Sequence, residues 1–573
     1  MDNRAVAQVL GEIADLLEIK GENAFKIRAY RSAADTIAAW GDGVAQMTDA
    51  QLRELPGIGK DLAKKILELA STGVITYHQE LLQEFPPTIL DLLRLQGVGP
   101  KTVALLYGTL NIRNLEELGA AASEGRLRSI KGMGAKKEAL ILKALEERAR
   151  DEGRHLLADT TSVAADLVAY LRQAAPEVEL IPVGSLRRGC ETCGDIDILA
   201  VGGNPSLMDS FVSYGRVERV LGQGDTKSSV RLQGGYQADL RLVPRESRGA
   251  AMQYFTGSKA HNIVLRDRAI QRELKLNEYG LFRVDGDERI AGDTEEGIYE
   301  ALGLAWVDPA LRENRGEIEA AQTRTLPRLV SAADLLGDLH MHTTASDGRD
   351  TLEDMAAAAA QLGHRYIAIT DHSKALAMAN GLDEARALAH AAEVRALNGR
   401  FGDLTLLAGI ECDILADGRM DLAEDCLAQL DFVIASIHSH FSQDESEMTE
   451  RVLRALECPW VDVLGHPTGR LLLKRDGVRL NMSAVFTAAA AHGAAIEINC
   501  NPARLDLNDS MARTARDRGI KLMISTDSHA VATLGGQRWG VQVARRAWLR
   551  PADVLNALPL EELRPLLRRN RPR

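Results

Sequence analysis

The sequence predicts a multidomain chain with helical N-terminal domains, an α+β middle and a seven-stranded α/β barrel at the C-terminus. Three observations predict it. A Gly-x-Gly pattern followed by a helix-forming run recurs three times before residue 150. Mixed strand and helix patterns follow, with carboxylates alternating along the strands. Beyond residue 335, seven short apolar runs alternate with helical patterns, as in a parallel barrel. The expected boundaries are 1–85 and 86–150 for two helical domains, 151–245 and 246–315 for the α+β part, 316–334 for a linker and 335–573 for the barrel.

Composition restricts the function classes. The chain has 573 residues, 45% hydrophobic and 26% charged, as in globular proteins. No apolar run approaches the ~18 residues that span a bilayer, so no membrane partner is expected. The N-terminus, MDNRAVAQVLGEIADLLEIK, is amphipathic with mixed charge and unlike a signal peptide. Six cysteines in so long a chain make no disulfide framework, and reduced thiols in a cytoplasm are expected. The net charge of −12 weighs against nucleic acid only as a global number, because phosphate binding depends on local basic surface. Lys60, Lys64 and Lys65, and then Lys131, Lys136 and Lys137, each offer such a surface, although a solvated helix face is the plainer reading of one cluster.

The repeats LPGIGKDLAKKI (55–66), LQGVGPKTVALL (95–106) and IKGMGAKKEALI (130–141) share one design. Two glycines permit a tight turn, and the following helix begins with free N–H groups on which a phosphate can dock. This is the helix-hairpin-helix pattern, which grips a DNA backbone without reading sequence. A Gly-rich turn can also stand without a ligand. Three copies, two followed by Lys60 and Lys101, favour DNA at Gly57, Gly59, Gly97, Gly99, Gly132 and Gly134.

In VGSLRRGCETCGDIDILAVGG (183–203), Asp195 and Asp197 flank Ile196 in a strand and therefore share one face. YQADLRLV (236–243) offers Asp239 from another strand. Three carboxylates can hold two Mg²⁺ or Mn²⁺ ions that activate a 3′-hydroxyl and neutralise a departing pyrophosphate. Gly184 and Ser185, with Arg187 and Arg188, suit a triphosphate. Cys190 and Cys193 have no evident partners nearby and read as incidental.

Gly-Ser followed by Gly-Asp-x-Asp in a strand resembles the nucleotidyltransferases, and residues 1 to about 315 resemble, in order, the lyase-type domain, fingers, palm and thumb of the polymerase β-like X family of DNA polymerases. The resemblance implies that Asp195, Asp197 and Asp239 are the metal-binding catalytic residues, with Asp239 nearest the attacking hydroxyl. It implies that Ser185, Arg188 and Gly194 hold the triphosphate. It also implies that Tyr254, Phe255 and Gly257 in YFTGSKAHNIVLR (254–266) face the sugar, and that Asn262 and Arg266 contact the nascent pair and template. Gln237 stands where the family's animal members have an arginine that orients the third aspartate. Lys65 matches the lysine that forms a Schiff base with an abasic sugar, but Asp61 replaces a neighbouring lysine that holds the 5′-phosphate, so lyase activity is expected to be weak or absent.

Ten of the 13 histidines lie beyond residue 335. His340, His342, Asp347, His372, Glu411, His438, His466, Asp527 and His529 fall at or just after the ends of six of the seven apolar runs, where a barrel keeps its chemistry. A lone histidine at a strand end is usually a hydrogen-bonded core residue; nine such groups at one end are not explained that way. They suffice for about three divalent cations, and imidazoles favour Zn²⁺, Mn²⁺ or Fe²⁺. His-x-His, then Thr-Asp-His-Ser, Gly-His-Pro and Thr-Asp-Ser-His resemble the polymerase and histidinol phosphatase (PHP) domain. The resemblance implies one metal on His340, His342, Glu411 and Asp527, a second on Glu411, His438 and His466, and a third on Asp347, His372 and His529.

The expected function is short-gap filling in DNA repair with a metal-dependent 3′→5′ exonuclease, extending to abasic-site cleavage or 3′-phosphate removal. The expected partners are gapped or primed DNA and deoxynucleoside triphosphates, bound by a monomer associated with the nucleoid. The alternatives are a nuclease or phosphatase whose polymerase half mainly binds DNA, and a non-catalytic DNA-binding scaffold.

Overall fold

The computed structural model describes residues 3–568 other than 40–43, 87, 94, 96–97, 131, 152 and 286–287. Gly97 and Lys131 lie outside the described residues. The chain divides into two units, 1–152 and 153–573.

The first unit is helical, with one apolar core that includes Leu10, Ile37, Ile66, Leu106 and Ile141. Gly59 and Gly99 take extended backbone as the N-caps of helices Lys60–Thr72 and Pro100–Leu110, and Gly134 precedes helix Ala135–Asp151. The second glycine of each repeat therefore stands at the start of a helix. Gly57 and Gly132 take φ of +77° and +87°, which other residues rarely adopt.

The second unit begins with a five-stranded sheet in the order Glu179–Pro182, Asp195–Val201, Gln237–Val243, Lys227–Leu232, Val217–Gln223. The two central strands run parallel, with Asp197 opposite Asp239, while the other pairs are antiparallel. A helix-and-hairpin lobe follows around Leu265, Leu281, Ile298, Tyr299 and Leu311. The C-terminal part is a barrel of seven short parallel strands that lie side by side in chain order. A bridge from Met341 to Ser528 brings its first and last segments together.

The stretch expected to be a helical or loose linker is built into both neighbours. Helix Glu317–Thr323 buries Ile318 and Ala321 in the lobe core, while Val330 joins the barrel core. Conversely Trp548, from the barrel end of the chain, completes the lobe core and carries the Arg513 guanidinium 4.3 Å from its ring centre. Two of the segment's charges, Arg312 and Glu317, are fully enclosed, while Arg315, Glu319, Arg324 and Arg328 stay exposed. Arg312 is fully buried and bonds Glu295 Oε1 at 2.7 Å and the Val307 carbonyl. Arg187, expected beside a triphosphate, instead grips Glu295 in a fork at 2.9 and 2.6 Å.

Burial alone would raise the Glu295 pKa, but the Arg187 hydrogen bonds and the Arg312 charge outweigh it and hold the carboxyl at about 2 against an ordinary 4.5. Because the folded value is depressed, this group stabilises the fold above about pH 4.5 and loses that contribution as pH falls toward 2. Glu295→Gln is therefore expected to cost about 3 kcal/mol at neutral pH, and the deficit to shrink below pH 4.5. Urea midpoints measured by tryptophan fluorescence across that range check it; a pH-independent deficit would contradict the sign.

Candidate active sites

The parallel pairing of two strands sets the first site. Asp197 and Asp239 are direct neighbours in register, and Asp195 shares their face. Burial, then repulsion from Asp195 and Asp239, pushes the Asp197 carboxyl up to about 7; burial and Asp239 also raise Asp195. Lys227 Nζ lies 3.7 Å from Asp239 Oδ2, and Gln237 Nε2 lies 3.4 Å from Asp239 Oδ1. So Gln237 reaches Asp239 from the place where an arginine was expected. Lys227 was missed, because only the antiparallel pairing of its strand brings it there. Three crowded carboxylates with all-oxygen donors fit Mg²⁺ or Mn²⁺.

Gly184 is forced by this geometry. It takes φ of +66°, and a Cβ there would stand 2.5 Å from Asp197 Oδ2. The adjacent Ser185 hydroxyl is buried without a hydrogen-bond partner, available to a phosphate oxygen. Arg188 bonds Glu313 Oε1 at 3.0 Å and the Thr256 carbonyl at 2.6 Å, so a triphosphate would have to compete for it. Gly257 lies beside this arginine, with a Cβ position 3.2 Å from Arg188 Nη1; Gly194 lies 3.7 Å from Arg154 Nη1 on the same measure. Tyr254 and Phe255 pack edge to face at 5.1 Å. The Asn262 amide is spent on Gln253 and the Tyr254 carbonyl, while Arg266 is exposed.

In the first unit, Lys60 and Lys101 are exposed at the starts of their helices. Lys65 is half-buried, ion-paired with Asp61, and 5.5 and 6.0 Å from the ring centres of Tyr77 and Tyr30. Its ammonium thus meets a carboxylate, and that same carboxylate would repel the 5′-phosphate of an incised abasic end. Borohydride reduction in the presence of such an end is expected to trap little adduct. Efficient trapping that Lys65→Ala abolishes would overturn this.

The barrel gathers the second site just beyond its strand ends. Glu411 is its centre. Glu411 Oε2 lies 2.9 Å from His372 Nδ1, 3.4 Å from His340 Nε2 and 3.5 Å from His342 Nε2. Glu411 Oε1 lies 3.0 Å from His466 Nε2 and 3.4 Å from His438 Nε2. Asp527 Oδ1 stands 3.1 Å from His342, and Asp347 Oδ1 stands 3.4 Å from His529 and 3.6 Å from His372. His342 and Asp527 are hydrogen-bonded, but the imidazoles around Glu411 are close to it without forming hydrogen bonds. Both Glu411 oxygens, His340 Nε2, His342 Nδ1, His372 Nδ1 and both His466 nitrogens are buried without hydrogen-bond partners. Orphaned buried donors and acceptors facing one another fit divalent cations.

Among the described residues the ligand atoms form three groupings: His340, His342, Glu411 and Asp527; His342, Asp347, His372 and His529; and His372, Glu411 and His438. The first is the expected set. The third metal's expected set gains His342. The remaining grouping joins His372 to Glu411 and His438, while His466 stands outside the groupings, 3.0 Å from Glu411 Oε1 and with its ring 5.2 Å from that of His438.

Supporting carboxylates escaped the sequence reading. Glu497, fully buried on the strand with no expected ligand, accepts from His340 Nδ1 and Ser525 Oγ at 2.7 Å. Asp413 holds His438 Nδ1 at 2.6 Å. Each fixes an imidazole with Nε2 turned toward the centre. Their signal was present, since Glu497 and Asp413 interrupt apolar strands, but a lone carboxylate there does not say whether it binds or orients.

The comparisons with known proteins match this architecture. Family profiles match a helix-hairpin-helix domain at residues 1–75, a SAM-like helix-hairpin-helix tandem at 89–147, DNA polymerase beta palm at 158–211, DNA polymerase beta thumb at 251–313 and a PHP domain at 338–501. The chain is 36% identical, over its whole length and the whole of the relative, to the DNA polymerase/3′-5′ exonuclease PolX of Bacillus subtilis (strain 168). The chain belongs to the X family of DNA polymerases that carry a PHP domain. The barrel has further relatives. A probable phosphatase of Shewanella sp. (strain MR-4) is 30% identical over 40% of this chain and 91% of its own length, and one of Edwardsiella ictaluri is 32% identical over 41% and 95%. In this X-family chain the five-stranded sheet is thus the palm, the lobe after it the thumb, and the barrel the PHP domain. None of its described helices is long and apolar enough to cross a membrane.

Proposed function

We propose that this X-family polymerase extends primer 3′ ends across short gaps in DNA with its palm and degrades 3′ ends with its PHP centre. The observation that carries the reading is the coexistence, in one chain aligned end to end with a polymerase/exonuclease, of three converging palm carboxylates and eight clustered PHP ligand groups, with His466 against Glu411 beside them.

Divalent cations at the palm would activate the 3′-hydroxyl and neutralise pyrophosphate; at the barrel they would supply hydroxide and polarise a phosphodiester. The chain's own residues do the rest. Asp195, Asp197 and Asp239 are held on two rigid strands, which is the positional precision in-line transfer demands. Lys227 and Gln237 steady Asp239. Gly184 lets the loop carrying Ser185 approach Asp197, and the Ser185 hydroxyl would donate to a phosphate oxygen. In the barrel, Glu497 and Asp413 keep His340 and His438 oriented, and burial with the neighbouring His529 and His372 keeps His342 neutral, at about 3, in the form that donates a lone pair. The histidine-rich donor set suits Mn²⁺, Zn²⁺ or Fe²⁺. Abasic-site cleavage and 3′-phosphate removal are the same phosphoester chemistry at that centre. The exposed helix starts at Lys60 and Lys101 would hold the DNA backbone nonspecifically.

Asp239→Ala should abolish primer extension and spare 3′ degradation; His342→Ala should do the reverse, and EDTA should stop both. If Asp239→Ala extends primers at the parental rate, the palm serves only to bind DNA and the polymerase reading fails. If His342→Ala degrades 3′ ends at the parental rate, the exonuclease reading fails.

A further inference from the structure

The ligand geometry of the barrel does not distinguish a DNA end from a small phosphate ester, and relatives named phosphatases share the domain. Selectivity must come from outside the metal ligands. Two loops leave the centre with His438 and His466, and each carries a further feature at its rim.

Three residues after His438, Phe441 is 38% exposed. The guanidinium of Arg475 lies 4.7 Å from its ring centre. Three residues after His466, Gly469 takes φ of +59°, and a Cβ there would stand 3.3 Å from the Phe441 ring. The Gly469 carbonyl in turn accepts a hydrogen bond from Arg475 Nη2 at 2.7 Å. Thus an aromatic face and a cation are locked together across the two ligand-bearing loops.

The cations here lack carboxylate partners. Among the described residues, Lys474, Arg475 and Arg504 form no ion pair, and burial together with the nearby Arg504 charge lowers the Arg475 pKa. The loop from Gly469 to Leu480 contains Arg470, Lys474, Arg475 and Arg479 against Asp476 alone, in a chain of net charge −12. Basic residues in excess of acidic ones beside a phosphoesterase centre are complementary to a polyanion. The same loop reaches the palm, where Arg470 pairs with Glu191 at 2.6 Å, next to the nucleotide loop.

We propose that Phe441 and Arg475 form a docking platform for the single-stranded 3′ terminus of DNA, with Phe441 stacking a terminal base and Arg475 holding its phosphate. An aromatic face accepts any base, and arginines track the backbone, so the platform is indifferent to sequence. It deepens the nuclease reading and rests on it.

The test uses the full-length protein with Mn²⁺ and two substrates: a short oligothymidylate with a free 3′ end, and bis(p-nitrophenyl) phosphate, which reports the metal centre without needing a platform. For Phe441→Ala and Arg475→Ala, the ratio of kcat/KM for the oligonucleotide to that for the ester should fall by about 10-fold or more, chiefly through KM. Phe441→Trp should restore it. Bound metal, measured by elemental analysis, should match the parent. An unchanged ratio in both alanine variants overturns the platform, as does an equal loss on both substrates with loss of metal, which would make the pair a structural brace. A parent that hydrolyses the ester but leaves the oligonucleotide intact overturns the nuclease reading itself, and the platform with it.

Discussion

Glu411→Gln is expected to lower 3′-end degradation by roughly 10³-fold, a loss of several kcal/mol of transition-state stabilisation, while primer extension stays near the parental rate. Glu411 is one carboxylate within 3.5 Å of five imidazoles. Each of its oxygens faces a different subset of them, so a single side chain links two of the three ligand groupings. An amide of the same shape offers one neutral acceptor oxygen and an NH2 group with two N–H donors, which would point at lone pairs or at a cation. The remaining histidines cannot make up the missing charge. Bound transition metal should therefore fall together with the activity, which elemental analysis of the purified variant measures. A variant that keeps its metal and its exonuclease would show that the centre is not organised around Glu411.

Gly184→Ala should reduce single-nucleotide incorporation by about 10²-fold with the exonuclease unaffected. The positive φ alone costs a non-glycine residue about 1–2 kcal/mol. The larger effect is a collision: the methyl group would stand 2.5 Å from Asp197 Oδ2. Either the carboxylate turns away from its neighbours or the loop carrying Ser185 and Arg188 withdraws from them. Both outcomes separate Ser185 and Arg188 from the carboxylates, and displacements of about 1 Å in such sites are costly. Pre-steady-state incorporation opposite a templating base in a short gap measures the effect directly. A parental rate would mean that the loop and the strand do not approach this closely in the working enzyme.

Much of this was legible in the sequence because the chemistry is periodic. Carboxylates two apart on a strand share a face, and ligands repeated after successive apolar runs must meet at one end of a parallel barrel. Asp195, Asp197, Glu411 and the histidines were visible on that basis. What remained hidden depends on pairing between distant strands. Lys227 approaches Asp239 only because their strands are antiparallel neighbours. Glu497 lies 157 positions from the His340 it orients. In the charged stretch 312–328, composition alone does not tell which charges lie in solvent. Arg312 and Glu317 are fully enclosed, their charges met by Glu295 and His261. A buried ion pair and a solvated one have the same composition, and only the fold distinguishes them.

Trp548 bears on how such a chain can be divided. A cut anywhere between the thumb and the barrel removes an indole from the thumb's own interior, and with it Arg546, which holds both Glu313 and the Arg188 carbonyl. The polymerase portion alone would be left with an unfilled hollow and a loosened nucleotide loop. The two catalytic halves are therefore a poor target for gene splitting or module exchange at this junction, and a lineage that loses one half has to rebuild the interior of the other.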